Sequence, residues 1–285
     1  MVRWLPSFRP KPPRAAAAPG PKAPAAAPVA AAQAPAARFR IESYARTDVG
    51  RVRTHNEDSF AARDDAGLWA VADGMGGHEG GEWASGRIVR ELDRIDETLG
   101  YAEACTGAAE AVAAANGQIL AEGRKRGNSM GSTVVMLLID DTRYALLWAG
   151  YSRAYLMRGG KLERLSRDHT QVQEMVTRGL MTAEQAQGHP MGHVLSRAVG
   201  VQKEIEIDRI EGEIQPGDIF LLCSDGLHGV VGEEVIGTHF AREAPDVALD
   251  QLIDLTLDRG APDNVTGIAI WISEPTLLSF AESRP

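Results

Sequence analysis

Cysteine is scarce: Cys105 and Cys223 are the only two in 285 residues. That is too few for a disulfide scaffold, and a reducing compartment, the cytoplasm, is the expected setting. Neither cysteine opens a Cys-x5-Arg phosphate loop, since the sixth residue on is Ala111 in one case and Gly229 in the other. A cysteine nucleophile for phosphate chemistry is therefore unsupported. No run of eighteen apolar residues occurs, so no membrane-spanning helix is expected. Gly-x4-Gly-Lys-Ser/Thr is missing, and Gly74–Gly81 lacks Gly-x-Gly-x-x-Gly spacing, which disfavours P-loop and kinase-type phosphate cradles. His and Cys do not recur at zinc-ligand spacing.

Residues 1–37 lack acid altogether, while holding fourteen Ala, nine Pro and five basic residues. Proline every few residues prevents a continuous helix, and the segment reads as a disordered, semi-extended tether. Its basic start resembles that of a signal peptide, but Pro19, Pro21, Pro24 and Pro28 interrupt the apolar core that such a peptide needs. The whole chain carries −9 and the tether +5, which leaves −14 on residues 38–285. So acidic a body is a poor generic partner for nucleic acid and a reasonable place to gather divalent cations.

What is present reads as strands, then two helices, many strands, a helix and a last strand. Phe39, Ile41 and Ser43 alternate with polar residues; Leu68–Ala72 is a buried strand meeting a turn at Asp73-Gly74. Ile88, Leu92, Ile95 and Leu99 recur at helical spacing, as do Ala108, Val112, Ala115 and Ile119. Thr133–Ile139 and Tyr144–Ala149 flank Asp140-Asp141, and Ala154–Arg158 and Lys161–Leu165 flank a hairpin turn at Gly159-Gly160. Residues 166–200, polar and rich in His and Gly, read as an inserted flap. Ile205, Ile207 and Ile210 suggest a strand, Ile219–Cys223 another, residues 246–259 a helix, and Val265–Ile272 the closing strand. This is not βαβ alternation, so antiparallel sheets with helices packed outside fit better than a parallel sheet.

Two of these apolar strands end alike, in Ala72-Asp73-Gly74 and Ser224-Asp225-Gly226. Asp263-Asn264 precedes the last strand, and Glu57-Asp58 follows Arg53 closely. Carboxylates at the ends of buried strands are held rigidly, and the glycine after each lets backbone approach whatever they hold. Converging, they would make an all-oxygen site for Mg2+ or Mn2+. A lone Asp-Gly is usually just a turn; the weight lies in the combination.

That combination resembles the PPM/PP2C family of metal-dependent protein phosphatases, particularly its bacterial branch. The matching pieces are Arg53–Asp58 (RTHNED), Val71–Gly77 (VADGMGG), Gly131–Val134 (GSTV), Cys223–Leu227 (CSDGL) and Pro262–Thr266 (PDNVT). They stand in the family's order and cover about residues 42–272. The resemblance implies an α+β fold, a four-layer α-β-β-α sandwich of two antiparallel sheets flanked by helices, over residues 38–273, with a tail at 274–285. It implies hydrolysis of phosphoserine and phosphothreonine in proteins by a metal-bound hydroxide, with two Mn2+ or Mg2+ ions and no phosphoenzyme. Asp73 would bridge the ions with the Gly74 carbonyl as a further ligand, and Asp225 and Asp263 would complete the first. Glu57 and Asp58 would hold metal-bound waters or contact the second ion, and Arg53 would grip the phosphate. The partners implied are phosphorylated proteins, a Hanks-type Ser/Thr kinase and a forkhead-associated domain protein.

Two departures stand out. Where the family reads Gly-Asp-Ser-Arg, this chain has Gly150-Tyr151-Ser152-Arg153. A phenol with a pKa of about 10 cannot replace the carboxylate associated with a third ion. The bland reading makes Tyr151 a packing residue at a strand end, with activity carried by two ions; the alternative is a pseudophosphatase that binds phosphoproteins with little turnover. Met75 stands where some members place a general-acid His; nearby His78 is a candidate for that role, or a solvated loop residue. His55, His169, His189 and His193 read as structural or flap residues, and Cys223 as a buried small hydrophobe.

Overall fold

The computed structural model describes residues 39–77, 79–186 and 188–274. The proline-rich segment 1–37, nearly all of the C-terminal tail and His78 lie outside the described residues. The chain enters through β1 (Arg40–Asp48), β2 (Asp58–Arg63) and β3 (Leu68–Met75), followed by α1 (Glu79–Leu92) and α2 (Tyr101–Arg126). Five strands come next: β4 (Gly131–Ser132), β5 (Val134–Ile139), β6 (Arg143–Ala149), β7 (Arg153–Arg158) and β8 (Lys161–Arg164). The flap carries α3 (Gln171–Thr177) and α4 (Ala183–Ala186). The chain continues with β9 (Asp208–Glu213), β10 (Ile219–Cys223), α5 (Asp225–His228), α6 (Glu233–Arg242), α7 (Pro245–Asp258) and β11 (Val265–Ser273).

Side-chain alternation along the strands builds the layers. One sheet runs β1-β11-β10-β7-β8, and the other β2-β3-β5-β6-β9 with β4 beside β3. Adjacent strands pair antiparallel in both, as in β1 with β11 and β5 with β6. Trp69 and Val71 of β3 face the other sheet, where they meet Phe220 and Leu222 of β10 and Ile268 and Ile270 of β11. Their neighbours Leu68, Ala70 and Ala72 point the opposite way, against Ile88 of α1 and Val112 and Ile119 of α2. On the far side, Leu221 and Ala269 pack under Phe240 of α6 and Leu249 and Leu252 of α7. The result is the four-layer α-β-β-α sandwich. Its large buried apolar side chains each contribute about 1.5–3 kcal/mol.

Several expectations shift by a turn. Asp73-Gly74 does not end its strand, because Gly74 and Met75 pair with Ser132 and Gly131. The chain turns at Gly76 and Gly77 instead, with φ of 128° and 77°. Helix α1 stops at Leu92 although the periodicity runs on through Ile95 and Leu99. Arg63 donates to the carbonyls of Leu92 and Ile95, and Asp96 Oδ1 accepts from both the backbone N–H and the hydroxyl of Thr98, a local turn that competes with helix. Strand β9 starts only at Asp208; Ile205 and Ile207 pack from the preceding loop. Helix α6 was not foreseen: it buries only Ile236 and Phe240, too few apolar positions for a clear period. The β7–β8 hairpin turns at Gly159 and Gly160 with φ of 57° and 78°, as the glycine pair predicts.

Candidate active site

The carboxyl ends of β3 and β10 and the amino end of β11 open on one cleft of about 430 Å3. Asp73 is held by its backbone: its carbonyl accepts from Thr133 N at 2.8 Å and Ser132 Oγ at 2.9 Å, and its N–H donates to Thr133 Oγ1 at 3.1 Å. Gly74 N donates to Glu57 O at 3.1 Å. A Cβ on Gly74 would stand 2.2 Å from Gly81 O, so no larger residue lets α1 approach this closely. Ser85 Oγ donates to the Glu57 carbonyl, and Glu57 N donates to Asn264 Oδ1, each within 2.8 Å. The amide of Asn264 reaches onward to the carbonyls of Val49 and His55, both at 2.9 Å. Asn264 thus ties the segment carrying Arg53 and Glu57 to the start of β11.

The cleft is crowded with negative charge. Burial, then the neighbouring Asp225, Asp58 and Asp263, push the Asp73 carboxyl well above the ordinary range. Burial and Asp263 push Asp225 up to about 6. The two carboxyls interact side by side, an interaction that raises Asp73 and lowers Asp225. Asp58 is pushed up to about 7, chiefly by burial, although its Oδ2 accepts from Ser224 Oγ at 2.8 Å and Thr266 Oγ1 at 2.7 Å. Asp263 spends one oxygen on Asn264 N at 2.9 Å and the other on Arg53 Nη2 at 2.8 Å.

Arg53, Glu57, Asp73, Gly74, Asp225 and Asp263 all line the cleft. Asp58 does not; it stands opposite Asp73 in the β2–β3 pair and turns toward β10 and β11. Among the described residues no three His, Cys, Asp or Glu side chains are already gathered into a metal-holding group. The carboxylates face one space, but Asp263 is turned onto Arg53 and Asp58 onto two hydroxyls.

Three cleft features were not read as such from sequence. Arg197 lines it from the end of the flap, paired with Asp208 and, at 3.2 Å, with Glu206. The mixed His/Gly composition of the flap gave no sign of which residue would reach inward. His193, read as a flap residue, also lines the cleft. His228 sits behind Tyr151: its Nε2 donates to the Tyr151 carbonyl at 2.9 Å, and burial pushes its pKa down to about 3. Tyr151 is a wall of the cleft as well as a packing residue.

The flap is clamped at both ends. Gly150 N donates to His169 Nδ1 at 3.1 Å and Gly150 O accepts from His169 N at 2.9 Å. Ser132 and Val199 exchange hydrogen bonds of 3.0 and 2.9 Å at the other end. Arg153 forks onto both oxygens of Asp168 at 2.9 and 2.7 Å. His169 is therefore structural, its pKa lowered first by burial, and Cys223 is a fully buried thiol pushed up to about 12 by burial. No helix among the described residues is long and apolar enough to cross a membrane.

The chain is 39% identical over 245 residues to the serine/threonine protein phosphatase PstP of Mycobacterium tuberculosis, covering 85% of this chain and 46% of that relative. It thus spans about half the length of PstP. It is 35% identical over 235 residues to the serine/threonine phosphatase stp of Listeria welshimeri, covering 79% of this chain and 93% of the relative. A crystal structure of the catalytic domain of PstP in complex with two manganese ions superposes with a TM-score of 0.74 at 35% identity, over 83% of this chain and all of that one. The family profile described as protein phosphatase 2C matches residues 50–264, which includes every described carboxylate of the cleft and both ends of the flap. With that match over residues 50–264, the chain belongs to the protein phosphatase 2C family.

Proposed function

We propose that this chain hydrolyses phosphoserine and phosphothreonine in proteins with the help of divalent cations. The observation that carries this is the sharing of one cleft by Asp73, Asp225, Asp263 and Arg53. The residues fit hard divalent cations: the donors are all oxygen, and their mutual repulsion and burial hold Asp73 and Asp225 above their ordinary pKa values. A cation relieves that repulsion, which gives the cleft a reason to prefer Mn2+ or Mg2+ to a neutral occupant.

In this reading Asp73, the Gly74 carbonyl, Asp225 and Asp263 would hold the ions. Two ions, when bound, supply positive charge and activate water as a nucleophile near neutral pH. Glu57 reaches the same space from its anchored backbone. Asp58 acts from behind as a positioning carboxylate, keeping β2, β10 and β11 in register around Asp73. Arg53 leaves Asp263 to the cations and turns its planar fork on the phosphate oxygens.

The PP2C-like domain in this reading is 38–273, with the proline-rich segment and the tail outside it, and the compartment is the cytoplasm. Its substrates are products of a Hanks-type Ser/Thr kinase, and a forkhead-associated domain protein is a partner to be sought by co-purification. The pseudophosphatase reading keeps one specific support, the phenol of Tyr151 in place of a carboxylate. Hydrolysis of a phosphothreonine peptide in Mn2+, lost in EDTA and restored by Mn2+, is the expected result. Intact Mn2+ binding with no turnover on any phosphopeptide would establish the binding module instead.

A further inference from the structure

Tyr151 is fixed from several sides. Its ring meets the His228 ring edge-on at a centroid distance of 4.9 Å. The Arg153 guanidinium lies over it at 5.3 Å. Arg153 is itself held by both oxygens of Asp168. The backbone is fixed too, since the Tyr151 carbonyl accepts from the buried His228. A ring held this way loses little further freedom when a ligand arrives.

The hydroxyl is the free end of this arrangement. It hydrogen-bonds to none of the described residues, and it is not sealed inside the protein. Of the cleft's other side-chain donors, Arg197 is paired with Asp208 and Glu206 and the Thr133 hydroxyl is engaged with Ser152 and Asp73 N, while Arg53 sits in an exposed, exchangeable pair with Asp263. His193 is exposed on the flap. A phenol keeps its proton at neutral pH, and burial raises its pKa further here. Tyr151 lines the same cleft as the carboxylates of Asp73, Asp225 and Asp263.

We propose that Tyr151 is a preorganised neutral donor whose phenol O–H hydrogen-bonds a non-bridging phosphoryl oxygen of the bound phosphoprotein. This rests on the phosphatase reading of the cleft and names a contact within it. Tyr151 thereby binds the substrate directly, and His228 and Arg153 are positioning residues that hold its ring.

Binding of inorganic phosphate to the Mn2+-loaded full chain, measured by calorimetry, tests this without requiring turnover. Tyr151→Phe keeps the ring and removes the donor; phosphate should bind about tenfold more weakly, as befits one lost hydrogen bond to a charged group. His228→Ala, which leaves the phenol but loosens the ring, should weaken phosphate by less. An unchanged dissociation constant for Tyr151→Phe, within twofold, overturns the proposal, as does a wild type that binds no phosphate. Phosphate binding that depends on Tyr151 in a chain that hydrolyses no phosphopeptide would sink the enzyme reading and leave this contact standing.

Discussion

Arg53 donates from Nη2 to Asp263 Oδ2 at 2.8 Å, so a guanidinium suited to phosphate is paired with a carboxylate suited to a cation. Both side chains are substantially exposed, at 50% and 39%, so the pair is weak and exchangeable. Divalent cations at Asp263 and phosphate at Arg53 would each take one partner from the other, which couples the two binding events.

Arg53→Lys tests the fork. An ammonium keeps the charge but cannot make two parallel contacts to one phosphate. The expected loss in kcat/KM on a phosphothreonine peptide is about tenfold or more, with Arg53→Ala lower still. Full activity in the lysine variant would make Arg53 a general electrostatic residue.

Asp73→Asn and Asp225→Asn test the acidic floor. Each keeps the shape of the side chain and removes a charged oxygen donor, so Mn2+-dependent hydrolysis should vanish in both. In EDTA neither should melt lower than the wild type at neutral pH. A gain of about 2–4 °C is expected, the shift that ~1 kcal/mol produces in a domain of this size. A lower melting temperature together with retained activity would show that these carboxylates are structural.

The pH dependence of that gain has a definite sign. Asp225 is raised to about 6 and Asp58 to about 7, each chiefly by burial. A carboxyl raised in the folded state binds its proton more tightly folded than unfolded. From the unfolded carboxylate range near pH 4 up through these values, rising pH therefore costs stability. His228, lowered to about 3, works the other way below the ordinary histidine value. The Asp225 contribution is thus read as the difference between Asp225→Asn and wild type in EDTA. It should be smallest at about pH 4, grow as the pH rises through the Asp225 value of about 6, and level off by about pH 7.5. A difference that shrinks over that span would contradict the crowding of charge in the cleft.

Tyr151→Asp asks what this chain lost or gained at the departure from the family pattern. The variant returns a carboxylate to a wall of the cleft. A stable variant should gain activity on phosphopeptides most at millimolar-scale Mn2+, the range of loose oxygen-ligand sites. Thermal melting must accompany the titration, because the aspartate gives up the ring contacts to His228 and Arg153. An inert wild type beside an active aspartate variant would establish the pseudophosphatase reading.

Much of this protein is legible along the chain because its signals are local. Continuous apolar runs at 68–72 and 219–223 specify buried strands, a glycine pair specifies the β7–β8 turn, and the acidic residues beside the two runs mark where chemistry belongs. The sandwich follows, since two sheets that each bury one face on the other and one under helices need no further instruction. Tertiary structure alone decided which polar groups face which. Asp58 and Glu57 are neighbours in sequence, yet successive residues of an extended chain point to opposite sides, and so one is buried under Ser224 and Thr266 while the other lines the cleft. Helix α6 hides because two buried residues make no period, and His228 hides because its partner Tyr151 lies 77 positions away. Hydrogen bonds and ring contacts between such distant residues depend on the packing of whole layers, and no local pattern records them.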